Sequence, residues 1–368
     1  MLSDSIQHQA VACGIVQRAL EGDRVPHAYV FHGPDGVGKE RFSRVLASIL
    51  LAHDEGAADP WETVDRHPDF HLVYRQLNRQ HSDPDVRRRK ATTLGIDVVR
   101  EFLIAQVGLK PLHGIAKVFV IRECEKLQAQ AQQALLKTLE EPPPRTFLIL
   151  LTTSLNALLS TIMSRCQVVP FGPLPDEFVR SRLLDHHPGL AEEEITFYTR
   201  LAEGSAGRAI HMVNQELFRL GQGVVAGLSD LRAETSDGMI KVLSDAADEL
   251  SERCRKDDPD ISATESTRRG LITVFHIMSR WYADLLRHAV GASSGNMLGG
   301  NMLGGDMLGG NLLGGSVVRD FPARRALHAI RRVSAAGYEI SRNVNTMLCL
   351  ETLVHDLGRL RNGQRSRG

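Results

Sequence analysis

The chain has 368 residues, 42% of them hydrophobic, which is enough for real cores and too many for one small domain, so two or three domains are expected. Forty-four Lys and Arg balance 44 Asp and Glu, which argues against a chain that coats nucleic acid by itself. Five scattered cysteines (Cys13, Cys124, Cys166, Cys254 and Cys349) show no metal-ligand spacing or disulfide framework, and the sequence has neither a signal-peptide pattern nor an apolar run of membrane-spanning length, so a reducing, cytoplasmic setting is expected.

In chain order, residues 28–31 read as a short strand running into a glycine-rich turn, and 42–52 as the helix that follows. Strands are predicted over 70–74, 117–121, 147–151 and 167–171, with helices over 98–107 and 127–139. Alternating strands and helices, with the strands almost wholly apolar, predict a parallel α/β sheet covered on both faces. Strand signals stop after Pro173. A small helical unit is expected over 176–215, and longer helices over 216–290, where Ile272, Phe275, Trp281 and Leu285 fall at helical spacing. A last helix over 341–361 carries Val344, Leu348, Leu350, Leu353, Val354 and Leu357. Residues 296–315 read NMLGG, NMLGG, DMLGG, NLLGG. Two glycines per repeat make order entropically costly, so 291–316 is expected to be a flexible loop grown by repeat expansion rather than a sticky Met/Leu segment.

The strongest chemical signal is GPDGVGK at 33–39, between a strand and a helix. Gly33, Gly36 and Gly38 let backbone N–H groups turn toward phosphate oxygens, and Lys39 would sit on the β- and γ-phosphates. The next position normally holds a Ser or Thr that ligates Mg2+, but here it is Glu40. The strand 117–121 should end in Asp-Glu in an ATPase of this kind, yet it ends in Arg122-Glu123, which keeps only the second carboxylate. Arg87-Arg88-Arg89-Lys90, beside Asp83 and Asp85, reads better as a solvated loop than as a phosphate contact.

Residues 26–33 (PHAYVFHG), 134–143 (ALLKTLEEPP), Thr152-Thr153, Ser164-Arg165-Cys166, 204–209 (GSAGRA) and Asn343-Val344-Asn345 together resemble the clamp-loader subunits of bacterial replicative DNA polymerase, members of the AAA+ class. The resemblance implies a RecA-like nucleotide-binding domain over 1–172, a helical lid over 173–215 and a helical collar over 216–368. It implies partners too: gamma/tau and delta subunits in a five-membered ring, a sliding clamp, and primed DNA reached through the assembly. ATP or ADP is the implied nucleotide, with Thr153 near the γ-phosphate or attacking water and Arg208 reaching in from the lid. His8 and Gln9 fall where the family's N-terminal segment approaches the adenine, although Gln7 stands where glycine is usual, and Lys137 is a DNA-backbone candidate. Many members bind zinc through four cysteines after the first helix; residues 53–67 contain none, so no zinc is expected.

Within that family the gamma/tau subunits are motors, whereas delta-prime subunits often have a decayed nucleotide site and keep the Ser-Arg-Cys arginine. Glu40 and Arg122 remove the two Mg2+-coordinating groups while Arg165 is intact, so the delta-prime kind is expected. Arg165 then serves a neighbouring subunit's γ-phosphate as a finger in trans. The alternative is an ATP-hydrolysing gamma/tau-like motor using Glu123. Either way, a polymerase classification would attach only through the holoenzyme.

Overall fold

A computed structural model describes residues 6–22, 24–52, 63–113, 116–231, 236–290, 321–342 and 344–361. The repeat loop predicted at 291–316, Asn343 and most of the cysteine-free stretch 53–67 lie outside the described residues. The chain divides into two compact units, Met1–Pro175 and Asp176–Gly368.

The first unit is built on five parallel strands: β1 (Ala28–His32), β2 (Phe70–Val73), β3 (Lys117–Ile121), β4 (Thr146–Thr152) and β5 (Gln167–Pro170), in the order β2-β3-β4-β1-β5. Because side chains alternate along a strand and both faces are covered, the apolar runs are buried on each side. Ala28, Val30, Phe119, Ile121, Leu148 and Leu150 form one face. They pack on Leu135 and Leu139 of one helix (Ala129–Glu140, here α3) and on Val99 and Leu103. On the other face Phe31 meets Phe42 edge-on at 5.3 Å, and Phe42 meets Phe171 likewise at 5.3 Å. Two more helices flank the sheet, α1 (Ala10–Glu21) and α2 (Lys39–Leu50). The predicted helix 42–52 thus begins three residues earlier, because the glycine-rich loop leads directly into helical backbone before the apolar stripe starts. The predicted helix 98–107 runs as three joined segments, Ile96–Val99, a π turn at Arg100–Ile104, and Ala105–Val107.

The described part of the second unit is helical throughout. It contains α4 (Asp176–His186), α5 (Glu192–Ala202), α6 (Ala206–Asn214), α7 (Leu217–Asp230), α8 (Ser236–Asp257), α9 (Ala263–Ala289), α10 (Ala323–Ser341) and α11 (Thr346–Arg361). Phe275, Trp281 and Leu285 are buried as the spacing predicts, but Ile272 is 43% exposed. The last helix begins at Thr346 rather than at 341, since Ser341 closes α10; its buried side is Cys349, Leu350, Leu353, Val354, Leu357 and Leu360, so Leu348 faces outward, and Val344, before its first turn, is exposed too. No helix among the described residues is long and apolar enough to cross a membrane.

Candidate functional site

Parallel strands open their carboxyl ends at one edge of a sheet, and in open α/β sheets ligands bind there. The register sets His32 of β1 beside Thr152 of β4 and Pro170 of β5, so the loop 33–38, the Thr152-Thr153 pair and Phe171 converge at that edge. Gly36 and Gly38 have φ of 72° and 101°, which side-chain-bearing residues rarely adopt. At Gly33 the constraint is space: a Cβ would lie 2.2 Å from the carbonyl oxygen of Phe171.

Lys39 opens α2 and is buried. Its Nζ donates to the carbonyl oxygens of Gly33 at 2.7 Å and Pro34 at 2.6 Å, closing the loop on itself. Burial pulls the ammonium below its ordinary lysine value, and the charges of Asp35 and Glu125 push partly back. Gln9 braces the same loop: its side-chain amide donates to the carbonyls of Val37 (3.2 Å) and Gly172 (2.9 Å) and accepts from the Gly172 N–H at 3.1 Å.

The two substituted positions meet. Glu40 lies 3.2 Å from the Nε of Arg122 through one carboxylate oxygen and 2.5 Å from Arg44 through the other. Arg44 in turn reaches Asp65 at 3.0 Å. Both members of the Glu40–Arg122 pair are partly exposed, so the pair alone contributes on the order of 0–1 kcal/mol. Glu123 has left-handed backbone (φ 51°) and its carboxylate is held by two cations, Arg75 at 3.0 Å and Lys126. Burial would raise its carboxyl, but the hydrogen bond and charge of Lys126, with Arg75, outweigh that and hold it below the ordinary glutamate value.

Glu125 is the carboxylate that the sequence reading missed. It accepts from the Oγ1 of Thr152 at 3.1 Å and the N–H of Thr153 at 3.2 Å, and its charge acts on Lys39. An acidic residue two positions beyond Glu123 was the only signal available, and strand-end motifs do not use it. The Thr153 side chain itself is exposed.

Arg165 follows the single helical turn Ser160–Met163 and donates to the Thr161 carbonyl at 2.9 Å, while its Nη2 pairs with Glu140 at 2.8 Å. Arg208 belongs to the second unit, in the first turn of α6, where the Ser205 hydroxyl caps its N–H at 3.1 Å. Its guanidinium lies 3.5 Å from Nδ1 of His276, beside an open groove of about 600 Å³ lined also by Glu203, His211 and Arg269. In the basic run, Arg87 bonds the carbonyls of His81 and Ser82, while Arg88 and Arg89 pair with Asp85 and Asp97. Lys137 is exposed on α3. His67, at the end of the cysteine-free stretch, accepts from the Asp69 N–H, and no group of three or more His, Cys, Asp or Glu among the described residues is arranged to hold a metal.

Residues 8–175 match the family model described as DNA polymerase III, delta subunit. The chain is 32% identical over 179 residues to DNA polymerase III subunit delta' of Bacillus subtilis, covering 46% of this chain and 50% of that protein. It is 31% identical over 171 residues to subunit gamma/tau of Mycoplasma genitalium, covering 46% of this chain and 27% of that one. The solved structure of a gamma subunit-related protein from Thermotoga maritima aligns over 95% of this chain and 99% of its own, at 16% identity and a TM-score of 0.44. The chain thus spans half or less of the length of the two curated relatives.

Proposed function

We propose, from the membership of this chain in the DNA polymerase III clamp-loader family, that it acts as a delta-prime-type subunit that does not hydrolyse ATP itself but completes a neighbour's site. The observation that carries this reading is the Glu40–Arg122 ion pair at the two positions where Mg2+ ligands belong, in a chain that keeps Arg165. A metal-dependent phosphoryl transfer needs oxygen ligands there, and a guanidinium offers none. Glu123, the remaining carboxylate of that motif, is engaged by Arg75 and Lys126 rather than left to orient water.

In this reading the first unit is a rigid scaffold, and the working part is the guanidinium of Arg165. One arm of that guanidinium, Nη2, already holds a carboxylate oxygen of Glu140, and a phosphate oxygen accepts from the same donor. Docking of an adjacent nucleotide-loaded subunit exchanges one acceptor for the other and places a fixed positive charge where the transferring phosphoryl group builds negative charge. The partners are the gamma/tau and delta subunits of a five-membered ring, and through them the sliding clamp and primed DNA, in the cytoplasm.

Replacing Arg165 by Ala in the reconstituted loader should lower turnover at the site it serves by on the order of a thousandfold, with assembly unchanged by size-exclusion chromatography. DNA-stimulated ATPase equal to that of the wild-type complex would refute the role. The similarity to gamma/tau subunits supports a second reading, a motor subunit. Robust Mg2+-dependent ATP hydrolysis by the purified chain, abolished by Lys39→Ala, would establish it in place of the first.

A further inference from the structure

The family implies Mg2+ in this cradle, and the residues present do not fit it. The position that should offer a carboxylate offers Arg122, which has no lone pair to give and would repel a cation. The position that should offer a hydroxyl offers Glu40, whose two oxygens are already held, one by Arg44 at 2.5 Å and the other by Arg122 at 3.2 Å. Each change alone leaves a poor arrangement: Asp at 122 would face Glu40 with like charge, and Ser at 40 would leave Arg122 without this counter-ion. Together they cancel.

A metal bound there would tie the start of α2 to the end of β3, and the ion pair spans the same two elements. Its members are anchored on both sides. The Arg122 N–H donates to the Val73 carbonyl at 2.9 Å, and Arg44 continues the alternation of charge to Asp65 at 3.0 Å. We propose that Glu40 and Arg122 are a coupled replacement for the divalent cation: they join helix to strand as the metal would, and they make the cradle indifferent to Mg2+. This rests on reading residues 33–39 as a phosphate cradle.

The test is equilibrium binding of a fluorescent ATP analogue, with Mg2+ or with EDTA, to four full-length proteins: wild type, Glu40→Ser, Arg122→Asp and the double variant. Wild type and Glu40→Ser should show the same affinity, or the same absence of binding, in the two buffers, whereas Arg122→Asp sets two carboxylates face to face and should gain some dependence on Mg2+. The double variant, with hydroxyl and carboxylate restored, should bind at least about tenfold more tightly with Mg2+. Mg2+-dependent binding by the wild type or by Glu40→Ser, or a double variant as indifferent as the wild type, overturns the proposal.

Should the double variant not fold, the charge-swapped pair Glu40→Arg with Arg122→Glu serves instead. Position 40 also faces Arg44, so the swapped protein should melt below the wild type, but its loss should be smaller than the sum of the two single losses. Single effects that simply add in the swapped protein overturn the proposal as well. The role of Arg165 is read separately in the assembled loader, so either idea can fail without the other.

Discussion

Glu203 shows how a single side chain in the second unit is held. It follows the last residue of α5 with left-handed backbone, φ 52°, at a helix end where negative charge is unfavourable. His276 at 3.5 Å and Arg280 at 3.2 Å offset that. The hydrogen bond from His276, with the charges of His276, Arg280 and Arg208, lowers its carboxyl from 4.5 to about 2. A depressed carboxylate contributes stability that is complete above its unfolded pKa and is lost as pH falls through the folded one. Glu203→Gln should therefore destabilise the protein near neutral pH. With its side chain 46% exposed, about 1 kcal/mol is the discounted size, and the gap to wild type should close as urea melts are taken from about pH 4.5 toward pH 2. At this scale the sequence was least informative. It supplied Glu40, Arg122 and Glu123 as departures from a pattern, but which charge pairs with which depends on β3 ending beside α2, and no local spacing encodes that.

Among elements, the crossing of α8 and α9 depends on one missing side chain. A Cβ on Gly270 would stand 2.3 Å from the backbone carbonyl oxygen of Ala247, an atom that cannot swing away. Small neighbours suit the approach: Ala246, Ala247 and Ser251 are buried, and the Ser251 hydroxyl bonds that of Ser266 at 2.9 Å. Gly270→Ala gains roughly 1 kcal/mol of helix propensity but should still cost about 2 kcal/mol net by forcing the helices apart. Gly227→Ala is the matched control, since its nearest obstacle is the sulfur of Met239, a flexible tip that can move. Urea melts of the two variants should separate clearly, with Gly270→Ala the weaker protein. Strands and helices were largely legible because burial stamps a period on the sequence, as in residues 117–121 and 146–152, whose alternating sides are both buried. A lone glycine inside a helical run reads only as weakness until the facing helix is in view.

For the molecule as a whole, each of the two units carries its own buried set, aromatic-rich around Phe31, Phe42 and Phe171 in the first and centred on α8 to α10 in the second. Two separate cores depart from the single-domain case in which unfolding is all-or-none. Scanning calorimetry should give a transition enthalpy larger than the van't Hoff value, or two resolved peaks; one transition with equal enthalpies would contradict two cooperative units. The alternation of strand and helix made the first unit readable from sequence. The second was readable only as helical, because amphipathic helices specify that a face is buried and not which neighbour buries it.

The opposed charges at Glu40 and Arg122 also bear on history. A lineage that has exchanged a hydroxyl and a carboxylate for this pair cannot retrace its path one codon at a time without passing through a mismatched intermediate, two acids face to face or a cation without this counter-ion. If the pair does stand in for a metal, as proposed above, such a site would behave as a ratchet, because return to metal ligands needs both residues to change together.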